Sequence, residues 1–296
     1  MNITSENNNV IIKNIEDFDL AQTLECGQCF RFHKLGSEDF VVIASGRAVR
    51  ITHYDNKLVI YNTTVDDVTN FWIQYFDLDR DYGAIKTFLL DKDARLEGSI
   101  KEKSGIRIMN QQFDEMLISF IISQNKQIPH IKKIVEQLCE TYGDYITTIE
   151  GQKYYSFPSN EKLAAITEDG WRELKVGFRA PYLYEASQKL GSGQISSNSF
   201  YNKEQLIDAH DANQILTSIK GVGDKVASCV MLFALGYRSA FPIDVWIKRI
   251  MEYMYFDGKD TSKNVIADFA QKQYGEYGGY AQQYLFSFGR ELQLGK

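Results

Sequence analysis

Apolar positions along this chain change their spacing once. Between Asp39 and Thr64 they come in short alternating runs: Val41 and Ile43, Val49 and Ile51, Leu58 and Ile60, separated by Ser45-Gly46 and Asp55-Asn56. Alternation at period two with turn residues between the runs predicts antiparallel strands joined by tight hairpins. From Val65 the step lengthens to three and four, with Val68, Phe71, Trp72 and Tyr75 on one face. That spacing predicts helix. The stretch Leu89 to Gly105 is charged and interrupted by Gly98 and Gly105, and it places a domain boundary there. Residues 1–105 then form a β-rich domain and residues 106–296 a helical one. In the second part Phe113, Met116, Leu117, Phe120 and Ile121 make one apolar stripe, and Ile131, Ile134, Val135 and Leu138 the next. Pro158, Gly170 and Pro181 punctuate later segments, and a last helical group runs from Val265 to Phe288. Met1 to Val10 is polar and Asn-rich and reads as a short low-complexity tract. The fold class expected is α+β: a twisted antiparallel sheet beside a mostly helical domain.

Composition narrows the function classes. The 296 residues carry 33 basic and 39 acidic side chains, a net charge of −6. That counts against a protein that coats DNA through an overall positive field, but not against an enzyme with one local basic face. No run of eighteen apolar residues exists, so no membrane span is expected. The cysteines at 26, 29, 139 and 229 form neither a disulfide framework nor the clustered thiolates of an iron–sulfur site. A reducing cytoplasm fits them, in association with the nucleoid if the source is bacterial. Cys26 and Cys29 have the C-x-x-C spacing of a redox pair, but no thioredoxin-like βαβ context surrounds them.

The segment Leu216 to Ile250 holds the candidate chemistry. Ile219-Lys220-Gly221-Val222-Gly223 reads as a tight turn opening a helix, with Lys225 in the first turn of that helix. Glycines there permit positive φ and close backbone approach, and amides at a helix start attract anions. An ordinary αα-corner would look the same. Lys225 sharpens the reading, because a lysine can attack a carbon electrophile once it is neutral. At pH 7 neutralising a free lysine costs roughly 4–5 kcal/mol, which burial and a helix N-terminus would reduce. Cys229 and Phe233 follow at four-residue steps on the same face, as a pocket wall or as plain core. Asp244 follows Pro242 at the start of the next helix, as an N-cap, as a carboxylate facing a developing cation, or as both.

A glycine hairpin, a lysine and an aspartate nineteen positions later resemble the helix-hairpin-helix glycosylases of DNA base excision. Further segments are similar to 8-oxoguanine DNA glycosylases of the eukaryotic-like type: Gly27-Gln-Cys-Phe-Arg-Phe32, Ser119 to Asn125, Gly177-Phe-Arg-Ala180 and Tyr280-Ala-Gln-Gln-Tyr-Leu-Phe-Ser287. The matches run in family order from about residue 18 to 290.

The resemblance implies a bifunctional glycosylase and abasic-site lyase. In it Lys225 is the nucleophile and Asp244 the stabilising carboxylate. The Gly27 carbonyl reads the N7 hydrogen of the oxidised base, Gln282 reads its Watson–Crick edge, and Cys229 and Phe286 sandwich it. Phe286 read by itself could equally be helix core. Asn125, Phe178 and Arg179 would fill the space left in the duplex, and Gly221, Gly223 and Val226 would hold phosphates. Trp246 stands where eukaryotic members carry a histidine, and His130 where they carry the arginine that reads the opposite cytosine. The implied partner is duplex DNA containing oxidised guanine, bound by a monomer. No cofactor is implied for catalysis, and a structural monovalent cation at the hairpin carbonyls is. Two other readings stay open: a related glycosylase for another damaged base, and a non-catalytic helix-hairpin-helix DNA-binding protein.

Overall fold

The computed structural model describes residues 1–291 and 293. Six antiparallel strands form the first layer: β1 (Asn2–Glu6), β2 (Asn9–Lys13), β3 (Phe32–Lys34), β4 (Asp39–Ala44), β5 (Arg47–Tyr54) and β6 (Lys57–Ile60). Their spatial order is β1-β2-β6-β5-β4-β3. The turns Asn7-Asn8, Ser45-Gly46 and Asp55-Asn56 all have two residues with positive φ. That backbone matches the right-handed strand twist and favours Asn, Asp and Gly.

The hairpin β1–β2 was not expected from its polar composition. β1 is exposed and carries no hydrophobic alternation, while Val10 and Ile12 of β2 are buried and anchor the pair through β6. A further hairpin, β7 (Tyr145–Ile149) and β8 (Gln152–Tyr155), lies in the part of the chain read as helical. It covers the outer sheet face, where Tyr154 packs on Val41 and Ile43. This explains why every residue of β4 from Phe40 to Ala44 is buried.

The helices include α1 (Leu20–Glu25), α2 (Tyr82–Lys92), α3 (Glu97–Glu102), α4 (Phe113–Ser123), α5 (Ile128–Tyr142), α6 (Ala180–Gly191), α7 (Ala209–Thr217), α8 (Asp224–Phe233), α9 (Val245–Tyr255), α10 (Lys263–Tyr274) and α11 (Gly278–Glu291). The stripe that begins at Val65 winds partly as a π-turn over Val68–Trp72, with the indole of Trp72 donating to Asp67 at 3.0 Å. The two main cores divide between Leu78 and Tyr82, except that Cys26 and Phe30 join the helical core and Met109 the sheet core. Residues 82–102, placed before the expected boundary at 105, therefore pack with the helical core. Their charged outer faces hid the buried Ile85, Leu89, Leu96 and Ile100.

Two polar stitches lock the layers together. Arg107 is buried over the Tyr82 ring and donates to the carbonyls of Glu16, Asp17, Asp77 and Arg80 at 2.6–3.1 Å. Gln28, fully buried, donates to the carbonyls of Thr23 and Arg107 at 3.0 and 2.7 Å and accepts from the Met109 amide at 2.9 Å. Its own carbonyl accepts from the Gln111 side chain at 2.8 Å, and the Gln111 amide donates to the Phe233 carbonyl at the end of α8. The turn carrying Gly27 is thus tied to the helix carrying Lys225.

Candidate active site

One pocket gathers Gly27, Phe120, Lys225, Cys229, Phe233, Pro242, Asp244, Gln282, Gln283 and Phe286. These residues come from the α1–β3 turn, α4, α8, the entry to α9, and α11. A separate groove between the sheet and the β7–β8 hairpin holds Arg47 and Arg50. Both arginines are paired, with Asp67 and Asp39 at 2.7 Å, and neither a lysine nor a cysteine lines the groove.

Lys225 is the second residue of α8 and is half-buried. Its Nζ lies 5.0 Å from the centre of the Phe120 ring and 3.5 Å from Ser123 Oγ, while that hydroxyl donates to the Phe120 carbonyl at 2.8 Å. Cys229, one turn along, is buried, and burial pushes its thiol pKa up, against the pull of Lys225. That shift disfavours the thiolate a cysteine nucleophile would need. Asp244 is the N-cap of α9, and its Oδ1 accepts from the Ile247 amide at 2.8 Å. The cap fixes one oxygen and leaves the other free for charge stabilisation.

Gly27 is held to glycine by its backbone, and the space for a side chain there is tight. Its φ is +93°, and a Cβ there would stand 3.2 Å from the Phe286 ring and 3.3 Å from Ile128. Gln282 is buried, and its Nε2 donates to the Pro242 carbonyl at 3.2 Å. Phe286 is half-buried, with the Arg290 guanidinium 5.7 Å from its ring centre.

At the hairpin, Ile219 and Val222 are buried anchors. Only Gly221 uses positive φ, +84°, and a Cβ there would collide with the Tyr182 ring. Gly223 has ordinary extended φ as the N-cap of α8 and open space where a Cβ would stand. The expected conformational role of the second glycine is therefore corrected: nothing in the fold demands it, and its lack of a side chain keeps the helix entry open. Gln124 ties this turn to the end of α4, its Nε2 donating to the Gly221 carbonyl at 3.0 Å.

The duplex-facing candidates divide. Asn125 is exposed at φ +51°, the tip of the loop after α4. Phe178 is 54% exposed, and His130 is exposed in the first turn of α5. Trp246, half-buried in the first turn of α9, has the Arg249 guanidinium 6.0 Å from its ring. Arg179 departs from the expectation that it fills a duplex. It is 3% exposed and donates to the carbonyls of Val176, at 2.8 Å, and Gln124. It is a brace for the Asn125 loop. Val226 is also buried, so only its backbone could meet a phosphate.

Cys26 and Cys29 are not a redox pair. They pack into different cores, and burial raises both thiols to about 11. Sequence reasoning gave no role to Phe120, Ser123, Gln124 or Gln283. Phe120 lay inside the α4 pattern read as core, Ser123 and Gln124 lay in the segment read for its final asparagine, and Gln283 was overshadowed by its neighbour.

These features define a helix-hairpin-helix base excision DNA repair protein. A model of the HhH-GPD superfamily of base excision DNA repair proteins matches residues 118–273, and one of the 8-oxoguanine DNA glycosylase N-terminal domain matches residues 10–117. The chain belongs to the 8-oxoguanine DNA glycosylase family. A probable N-glycosylase/DNA lyase of Methanothermobacter thermautotrophicus is 30% identical over 243 residues, covering 75% of each chain. The 8-oxoguanine glycosylase/lyase of Clostridium acetobutylicum, solved with double-stranded DNA containing cytosine opposite 8-oxoguanine, is 37% identical with a TM-score of 0.93 over 99% of each chain. MBOgg1, solved with a low-affinity DNA ligand, is 39% identical with a TM-score of 0.92 over 99% of each chain.

Proposed function

We propose that this protein flips 8-oxoguanine out of duplex DNA, excises it through Lys225, and then cleaves the abasic strand. The observation that carries this is the convergence of amine, carboxylate, base-reading amide and aromatic face on one pocket. The Lys225 lone pair attacks C1′, and the C1′–N9 bond breaks with its electrons leaving on the base, which takes up a proton. Asp244 stabilises the positive charge that develops on the sugar. Opening of the sugar ring gives a Schiff base. Loss of a C2′ proton then expels the 3′ phosphate oxygen, and water hydrolyses the imine to free Lys225. Gly27, Cys229, Gln282 and Phe286 hold the base.

The open approach at Gly223, with the backbone of Gly221 and Val226, suits a phosphate at the α8 N-terminus. Trp246, in the first turn of α9, would add a further backbone contact to the DNA. The hairpin carbonyls of Ile219 and Gly221 already accept hydrogen bonds from the Val222 amide and Gln124. A monovalent cation would use their remaining lone pairs, as a structural clamp only; catalysis as proposed needs no cofactor. Asn125 and Phe178 would occupy the gap in the duplex, and His130 would face the opposite strand. The protein would act as a monomer in the cytoplasm, on the nucleoid if bacterial. Among the described residues no helix is long and apolar enough to cross a membrane.

Borohydride reduction during turnover tests the central step. The native enzyme should form a covalent complex with 8-oxoguanine DNA and Lys225→Gln should not. Trapping that persists in Lys225→Gln would overturn the assignment.

A further inference from the structure

We propose that Gln283 is a second base-reading side chain, whose carbonyl accepts the exocyclic 2-amino group of the extrahelical oxidised guanine. The proposal rests on the base-pocket reading above. Gln283 is 3% exposed and lines the pocket beside Gln282. Its Nε2 donates to Gln282 Oε1 at 2.7 Å, and Gln282 Nε2 donates onward to the Pro242 carbonyl at 3.2 Å. This chain orients both amides. It leaves Gln283 Oε1 buried without a hydrogen-bond partner among the described residues. Buried acceptors are normally satisfied, so an orphan in a pocket wall marks a place for a ligand's donor.

The count of donors and acceptors assigns that donor. The Watson–Crick edge of a guanine presents two adjacent donors, the ring N1–H and the 2-amino group. An amide oxygen has two lone pairs, and one on Gln282 Oε1 is already taken by Gln283. Gln282 can therefore accept only one of the two donors through that oxygen, and the Pro242 carbonyl, which accepts from Gln282, keeps a single lone pair. Gln283 Oε1 is a buried side-chain acceptor in the same wall with both lone pairs unused. An adenine-type edge, with an acceptor at N1 and no 2-amino group, leaves it unpaired. The pair Gln282–Gln283 would thus distinguish bases at the 2-position, whereas the Gly27 carbonyl reads N7.

The test compares two lesions that differ only in that amino group, 8-oxoguanine and 8-oxohypoxanthine, in otherwise identical duplexes. Single-turnover excision of each is normalised to the abasic-site lyase rate of the same preparation. The native enzyme should favour 8-oxoguanine by about tenfold, the worth of one buried hydrogen bond. Gln283→Met, similar in shape but without the amide, should bring the two rates to within about twofold. A native enzyme that releases both bases equally would overturn the proposal whatever the variant's folding. So would a native preference that survives in Gln283→Met. Failure of the underlying function looks different, since the native enzyme would then release neither base.

Discussion

The base pocket and the duplex-facing rim are built on opposite plans. In the pocket each polar side chain is held by a fixed partner: Asp244 by the α9 amide, Gln282 by Pro242 and Gln283, and the Gly27 turn by Gln28. On the rim Asn125, His130 and Phe178 are exposed; of the two buried members, Arg179 is a brace and Val226 offers only its backbone. A site that must stabilise a brief charge distribution gains from groups that need no reorganisation. A surface that meets a deformable duplex gains from side chains whose positions the ligand settles. Substitutions should therefore be severe in the pocket and graded on the rim.

The largest effect is expected at Lys225. Lys225→Gln should lower single-turnover excision by more than about 10³, as loss of a nucleophile does, while gel-shift affinity for lesion DNA changes little. Asp244→Asn comes next. Asn caps as well as Asp, so the melting temperature should hold while turnover falls by about 10²–10³ through loss of the charge. Turnover that is unchanged would make Asp244 a cap alone and leave the pocket with no group for the sugar cation.

α4 joins the two regions, and its buried first turn gives a pH test of the framework. Burial raises the Glu115 carboxyl from 4.5 to about 7, only partly offset by Arg31, with Asp114 and Glu136 adding to the rise. A raised folded pKa means the proton is bound more tightly in the native state. That contribution is complete below pH 4.5 and is lost as pH rises through 7. Glu115→Gln, permanently neutral, should gain about 3 kcal/mol on the native protein over that interval. Denaturant midpoints of both proteins from pH 4.5 to 8 check it, and parallel curves would remove Glu115 from the account.

A smaller effect is expected at Phe286. Phe286→Ala should weaken lesion DNA by about 1–3 kcal/mol and undamaged DNA by less. Equal weakening would make the ring part of the core. The smallest effect lies on the rim. A histidine at 130 has fewer donors and a shorter reach than an arginine fork, so excision opposite cytosine should exceed the other three bases by less than about tenfold. His130→Arg alone should move this ratio little, because the loop beside it is positioned by Gln124 and Arg179. A strong native cytosine preference would mean that the rim is as preset as the pocket.

Much of the site was legible because its chemistry is local. Lys225 behind a glycine turn and Asp244 behind a proline announce their helix starts by spacing alone. The four segments similar to the glycosylase family brought Gly27, Gln282 and Phe286 to attention, though they lie far apart in the chain. The division of cores at residues 78–82 was not legible, because α2 and α3 are charged outside and buried on faces too short to stand out. The edge hairpin β1–β2 escaped for the reverse reason: its polar strand is held only by the alternation of its partner.

The sequence by itself determined most of the elements and turns and the identity of the chemical groups, since these follow from periodicity, backbone preference and side-chain type within a few residues. Only the tertiary structure decided their partners. It turned Arg179 inward as a brace, sent Cys26 and Cys29 into separate cores, freed Gly223 from conformational need, and left Gln283 with an unpaired acceptor. Burial and hydrogen-bond satisfaction depend on which distant segments meet, and residue spacing along one helix or strand carries no record of that.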